Sequence, residues 1–140
     1  MKKILTLSVA VLLMFATFAT TSCSSEKSAA KAFKKNGYEM CELDPAQQIV
    51  QSPIMKNFPM YSQTALGYIV AGNTITFVYN LDDVSWNIYT QELRQDGFSN
   101  VSNGFVKADK SKGVTYNVST KTTTIYKNDY RLVTFACVRL

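Results

Sequence analysis

The side chains able to do chemistry are few, and the most informative fact about them is an absence: none of the 140 residues is histidine. That removes the commonest base at neutral pH, the serine–histidine and cysteine–histidine nucleophile pairs, and the usual zinc sites in one step. Carboxylate, lysine, tyrosine and cysteine chemistry remains. The acidic candidates are Asp82-Asp83, Glu92 and Asp96. Acid–base hydrolysis of a glycan needs two carboxyls held about 5 to 10 Å apart across the sugar. Glu92 and Asp96 are four residues apart and share a face if the segment is helical. Asp82 and Asp83 suit a helix start, where their charge already has a structural use. Cys41 and Cys137 as nucleophiles have no histidine to activate them. Asp109-Lys110-Ser111-Lys112-Gly113 opens like a calcium loop but lacks the later carboxylates, and its lysines oppose a cation, so a hairpin turn accounts for it. No GxxxxGK phosphate loop, GxSxG elbow or CxxC pair occurs. No metal or organic cofactor is therefore expected, and the chain reads as non-enzymatic.

What is left is recognition. Tyr116, Tyr126 and Tyr130 stand among threonines and lysines late in the chain. Strand alternation sends some of them outward, where a tyrosine ring beside hydroxyls can stack on a sugar or a peptide.

The elements that must position these residues follow from local signals. Segment 24–35 is small, polar and basic, a tether passing into a short, weakly amphipathic helix that stops near Asn36 with Gly37 as its cap. Its lysines, Lys27, Lys31, Lys34 and Lys35, are read as a solvated face, with lipid headgroups as the alternative. Segment 38–43 can form a short strand. Asp44-Pro45 starts a two-turn helix with aspartate as cap and proline at the first helical position, and Ser52-Pro53 ends it. Segment 54–60 reads as an ordered loop with Met55, Phe58 and Met60 tucked against the domain. Segments 64–71 and 74–80 form a hairpin about Gly72-Asn73, glycine first as a type II′ turn requires. Ile75, Phe77 and Tyr79 alternate onto one apolar face that needs cover. The cover is a helix over 82–96 whose Trp86, Tyr89 and Leu93 share a stripe, ended by Gly97-Phe98 in a Schellman arrangement.

Beyond it, segments 105–108, 114–119, 122–127 and 130–138 read as strands, jointed at 109–113, Thr120-Lys121 and Asn128-Asp129. Short connections favour antiparallel neighbours. The expected fold is α+β: an antiparallel sheet, hairpin plus C-terminal meander, with one main helix packed on one face.

The first 23 residues, MKKILTLSVAVLLMFATFATTSC, begin with Lys2 and Lys3, continue through an apolar run and reach small residues before a cysteine. The run is shorter than the ~20 residues that span a bilayer. The stretch resembles the lipoprotein class of secretory signal, in which signal peptidase II cuts before a cysteine that is then lipidated. In this chain the box is Thr20-Thr21-Ser22-Cys23, with the small Ser22 before the cut. The resemblance implies a signal peptide over 1–22, a lipidated Cys23 with tether and short helix over 23–36, and a single domain over 37–140. It also implies membrane attachment through the lipid. Ser24, in place of an aspartate retention signal, implies the outer membrane of a Gram-negative cell. The order of strand, helix ending in Gly-Phe and trailing hairpins, carried mostly by 75–98, is similar to a pattern in small bacterial lipoproteins of no known activity.

Loss of 1–22 leaves 118 residues, 13 basic and 10 acidic. That charge is too mild and scattered for nucleic acid. In an oxidising periplasm Cys41 and Cys137 are expected to pair, closing 97 residues and stabilising by about 4 kcal/mol. Together these features describe a lipid-anchored envelope protein that binds a protein, peptide or glycan. The alternatives are a carboxylate-dependent glycan hydrolase and an inhibitor of a hydrolase.

Overall fold

A computed structural model describes residues 24–140, with side-chain detail from Ser28 onward. The expected signal peptide and the lipidation site Cys23 lie outside the described residues. In chain order the elements are α1 (Ser24–Lys35), α2 (Pro45–Val50), a 3-10 turn (Pro53–Asn57), β1 (Gly67–Ala71), β2 (Thr74–Asn80), α3 (Asp83–Gln95), β3 (Ser99–Val101), β4 (Gly104–Asp109), β5 (Val114–Ile125) and β6 (Asn128–Arg139). The strands form one six-stranded sheet in the order β1-β2-β6-β5-β4-β3. Every neighbouring pair is antiparallel. The fold is therefore α+β, with α3 as the main helix against the sheet.

Alternation along the two central strands decides both faces. Ile75, Phe77 and Tyr79 of β2, with Val133 and Phe135 of β6, are fully buried on one side. They meet Trp86, Tyr89 and Leu93 of α3, and Met55, Phe58 and Tyr61 from the segment before β1, in one aromatic-rich core. Phe58 stands edge-on to Phe135 at 5.0 Å and Tyr61 to Tyr79 at 4.6 Å. Such pairs add about 0.5 to 1.5 kcal/mol each beyond the area they bury. Val84 and Ile88, on the other side of α3, are exposed.

The caps follow the local sequence. Asp44 and Gln47 form a reciprocal capping box on α2. Asp82 accepts from Ser85 N at the start of α3. At its end Phe98 N donates to Leu93 O at 3.0 Å and Gly97 N to Arg94 O at 3.1 Å, with Gly97 at φ 96°, the expected Schellman geometry.

Four features depart from the sequence reading. Helix α1 is part of the domain: Ala29 and Phe33 are 4% and 3% exposed and pack on Val78 and Tyr130, across the sheet from α3. Burying Phe33 stabilises this contact by about 2 kcal/mol. Segment 38–43 is not a full strand; it makes two isolated bridges, Glu39 to Tyr68 of β1 and Leu43 to Ala65 just before it. Met60 is 49% exposed, while Met55 and Phe58 are buried as expected. Finally, Thr120-Lys121 is no joint. The ladder from Val114–Arg139 to Ile125–Asn128 is unbroken and the chain reverses at Tyr126-Lys127, two residues earlier than Asn128-Asp129. Continuous cross-strand pairing outweighs the turn preference of Asn-Asp, because slipping the register by one residue would turn every buried side chain of β6 outward.

Candidate functional site

The C-terminal end of α3, the 3-10 turn and the β4–β5 turn enclose an open groove of about 660 Å³. Phe58 and Tyr116, edge-on at 5.8 Å, lie at its floor. Glu92, Gln95 and Asp96 come from α3; Lys56, Asn57 and Pro59 from the turn before β1; Lys107, Asp109 and Lys112 from β4 and its turn. Each contribution has a local cause. Glu92 and Asp96 share the outer face of α3 by their i, i+4 spacing. Phe58 is drawn down into the aromatic core, which brings Lys56 and Asn57 to the rim. Lys107 reaches the groove because Asp96 and Phe98 hold its ammonium group.

The electrostatics divide the rim into spent and unspent charge. Lys107 Nζ lies 3.4 Å from Asp96 Oδ2 and 5.5 Å from the centre of the Phe98 ring. Asp109 Oδ1 accepts from Ser111 Oγ at 2.6 Å and Lys112 N at 3.2 Å, and these bonds, the Ser111 hydroxyl first, hold its carboxyl below the usual range. The Asp109–Gly113 segment is thus a hairpin turn tied by its own aspartate. Lys56, Glu92 and the Lys112 ammonium carry no ion pair or side-chain hydrogen bond among the described residues. Of the acidic sequence candidates, Glu92 and Asp96 border this groove together. Asp82 and Asp83 lie at the opposite end of α3, nine or more residues from Glu92 and so about 14 Å away along the axis. Asp82 caps the helix, and Ser85, through its backbone N–H first and its hydroxyl second, holds the Asp82 carboxyl low. Asp83 pairs with Arg131 at 2.6 Å.

The recognition tyrosines separate. Tyr116 is buried, contributing ring surface to the groove floor, and Tyr130 is buried against Phe33 at 5.2 Å, so neither is an outward platform. The even positions of β5 and the even positions of β6 face α3 and α1 respectively, and both faces are covered at these rings. Tyr126 is exposed, at the hairpin reversal.

Cys41 and Cys137 do not bridge; both are free thiols. Cys137 packs on the α3 side of the sheet. Cys41 lines a second hollow, about 870 Å³, between α1 and the sheet, beside Met40, Leu66 and Tyr130. Seven residue steps along β6, about 23 Å, separate Tyr130 from Cys137, whereas a disulfide needs its Cα atoms within about 7 Å. Burial pushes the Cys41 thiol up, and Glu39 adds to the shift.

Lys56, Gln95 and Lys107 carried no sequence signal. Each is an ordinary surface residue until the sheet and helix bring it to the rim. Among the described residues no helix is long and apolar enough to cross a membrane. No protein-family model matches the chain, and neither does any curated protein or solved structure.

Proposed function

We propose that this chain is a lipid-anchored protein of the cell envelope, of the outer membrane in a Gram-negative cell, whose groove holds an envelope peptide or glycan without transforming it. The pairing of the groove's charges carries this reading. A glycan hydrolase needs two carboxyls free to exchange protons with the substrate. Here Asp96 is held by Lys107 and Asp109 by its own turn, leaving Glu92 alone. Unpaired Lys56 and Lys112 border the same groove as unpaired Glu92. That mixture suits a ligand bearing both carboxylate and amine groups, set against aromatic edges. The resemblance of the first 23 residues to a lipoprotein signal supports the anchor.

Intact mass of the protein from native membranes tests the anchor. A chain starting at Cys23 with added acyl mass is expected, and the unprocessed precursor should accumulate under globomycin. A different first residue, or no acyl mass, removes it. Photocrosslinking in cells from position 95 tests the groove. One discrete adduct is expected, lost when Lys56→Glu and Lys112→Glu are combined. An adduct indifferent to that reversal places binding elsewhere, and glycan cleavage abolished by Glu92→Gln would establish the hydrolase instead.

A further inference from the structure

The β5–β6 hairpin runs past its neighbours. β4 pairs with β5 only as far as Ser119, and β2 pairs with β6 only from Tyr130. Residues 124–129 therefore stand clear of both flanking strands. At the tip Tyr126 is 66% exposed and takes φ 59°, a left-handed conformation that favours glycine or asparagine. A tyrosine kept there bears backbone strain while most of its surface is left in solvent, a combination that points to use beyond folding. Lys127 is exposed beside it, and Lys121, opposite Leu132, is exposed lower on the same hairpin. The arm's one acid, Asp129, takes the Thr124 hydroxyl at 2.5 Å.

Helix α1 begins on the side of this arm. Phe33 rests on Tyr130 of β6, and Gly37 lies against Ile69 of β1. Ala29 and Ala30, earlier in the helix, border one hollow with Asn128 and Asp129 of the arm, whereas Gly37, past its end, lies at β1, so the helix approaches from the arm's side. Ile125 of the arm packs in the same small cluster as Phe33. Cys23 immediately precedes Ser24, the first residue of that helix. On α1, Lys31 and Lys34 are exposed.

We propose that the hairpin, with Tyr126 and Lys127 at its tip and Lys121 below them, together with Lys31 and Lys34, docks into the headgroup region of an anionic phospholipid bilayer. The inference rests on the lipid anchor proposed above and adds an orientation to it. A tyrosine ring is amphipathic and settles at the membrane–water interface, and lysines around it complement anionic headgroups. An anchor one residue ahead of a helix packed into the domain leaves little slack between lipid and protein. The groove, on the α3 side and near the far end of β5, then opens away from the bilayer.

The test uses the acylated full protein, carrying Tyr126→Trp, in vesicles of phosphatidylethanolamine and phosphatidylglycerol brominated near the headgroups. The unsubstituted protein corrects for Trp86. At least half of the added emission should be quenched, and combining Lys121→Glu with Lys127→Glu should cut that quenching by half or more. Hydrogen exchange of the unsubstituted protein should slow at least fivefold at 125–128 when vesicles are added. Absent quenching and unchanged exchange in protein that still floats with the vesicles would overturn the docking and leave the anchor intact. Protein that does not float overturns both.

Discussion

Tyr79 Oη donates a 2.6 Å hydrogen bond to Gln48 Oε1, joining a central strand to helix α2 with both side chains buried. The Gln48 amide in turn donates to Leu43 O at 3.0 Å and to Gln63 O at 2.7 Å. One glutamine thus ties α2 to the segments on both sides of it and to the sheet. Burial pushes the Tyr79 hydroxyl well above its ordinary pKa, with Tyr89 and Tyr61 adding to the shift, so it stays a donor.

Tyr79→Phe strands Gln48 Oε1 and is expected to cost about 1 to 3 kcal/mol in urea denaturation. Gln48→Leu leaves Gln63 O and the tyrosine hydroxyl unmet and removes one of the two bonds to Leu43 O, which keeps that from Ala65 N, so it should cost more. Equal costs would show that the network is not shared.

Arg131 and Asp83 form an unequal pair, their side chains 7% and 77% exposed. The guanidinium also reaches Thr120 Oγ1 at 3.3 Å and lies 5.0 Å from the centre of the Trp86 ring. Removing the exposed acid strands a buried cation, and Asp83→Ala is expected to destabilise by about 1 to 3 kcal/mol. Arg131→Met leaves only a solvated carboxylate and should cost about 1 kcal/mol or less. The reverse order in chemical denaturation would refute the asymmetry.

Gly104 is required for space. A Cβ there would lie 1.9 Å from Val118 O on the neighbouring strand. Since backbone must move to admit it, Gly104→Ala should cost more than about 3 kcal/mol. Around Gly72 a Cβ meets nothing within 4 Å, and only its φ of 59° resists substitution. Gly72→Ala is expected to cost about 1 kcal/mol. Paired melting curves compare the two directly.

Stability should be flat between about pH 5 and pH 8, where carboxyls, thiols, tyrosines and lysines at their ordinary values do not titrate and histidine is absent. Burial raises Tyr61 from 10.0 to about 12, partly opposed by Arg131, and raises Tyr89 further. A raised folded pKa means that the contribution is full below pH 10.0 and is lost as pH climbs toward about 12. Asp82 and Asp109 are lowered, so their contribution is present above pH 3.8 and fades as the carboxyls protonate below it. Urea midpoints across pH 3 to 12 check both limbs. A change above about 1 kcal/mol between pH 6 and 8 would contradict the flat region.

Much of the fold was legible because its signals are short-range. Asp44-Pro45, the Trp86–Tyr89–Leu93 stripe and Gly97-Phe98 act within about seven residues, and each formed as expected. The misplaced joint at Thr120-Lys121 has the opposite cause: β5 runs on through it paired with Val133 and Leu132 of β6, and local composition carries no record of that. Helix α1 is expected from the sequence as a short helix outside the domain, because Ala29 and Phe33 make a thin apolar stripe, sufficient for packing only once Val78 and Tyr130 lie beneath it.

By itself the sequence determined the α+β class, the helix ends, the inward face of β2 and the range of chemistry open to a chain without histidine, since all of these follow from composition and near-neighbour spacing. Tertiary structure alone decided that Cys41 and Cys137 stand apart, that Tyr116 and Tyr130 turn inward, and that Lys56, Glu92, Lys107 and Lys112 meet around one groove. Those residues lie up to 56 positions apart along the chain. Contacts over such separations are set by strand order and packing, which no local pattern encodes.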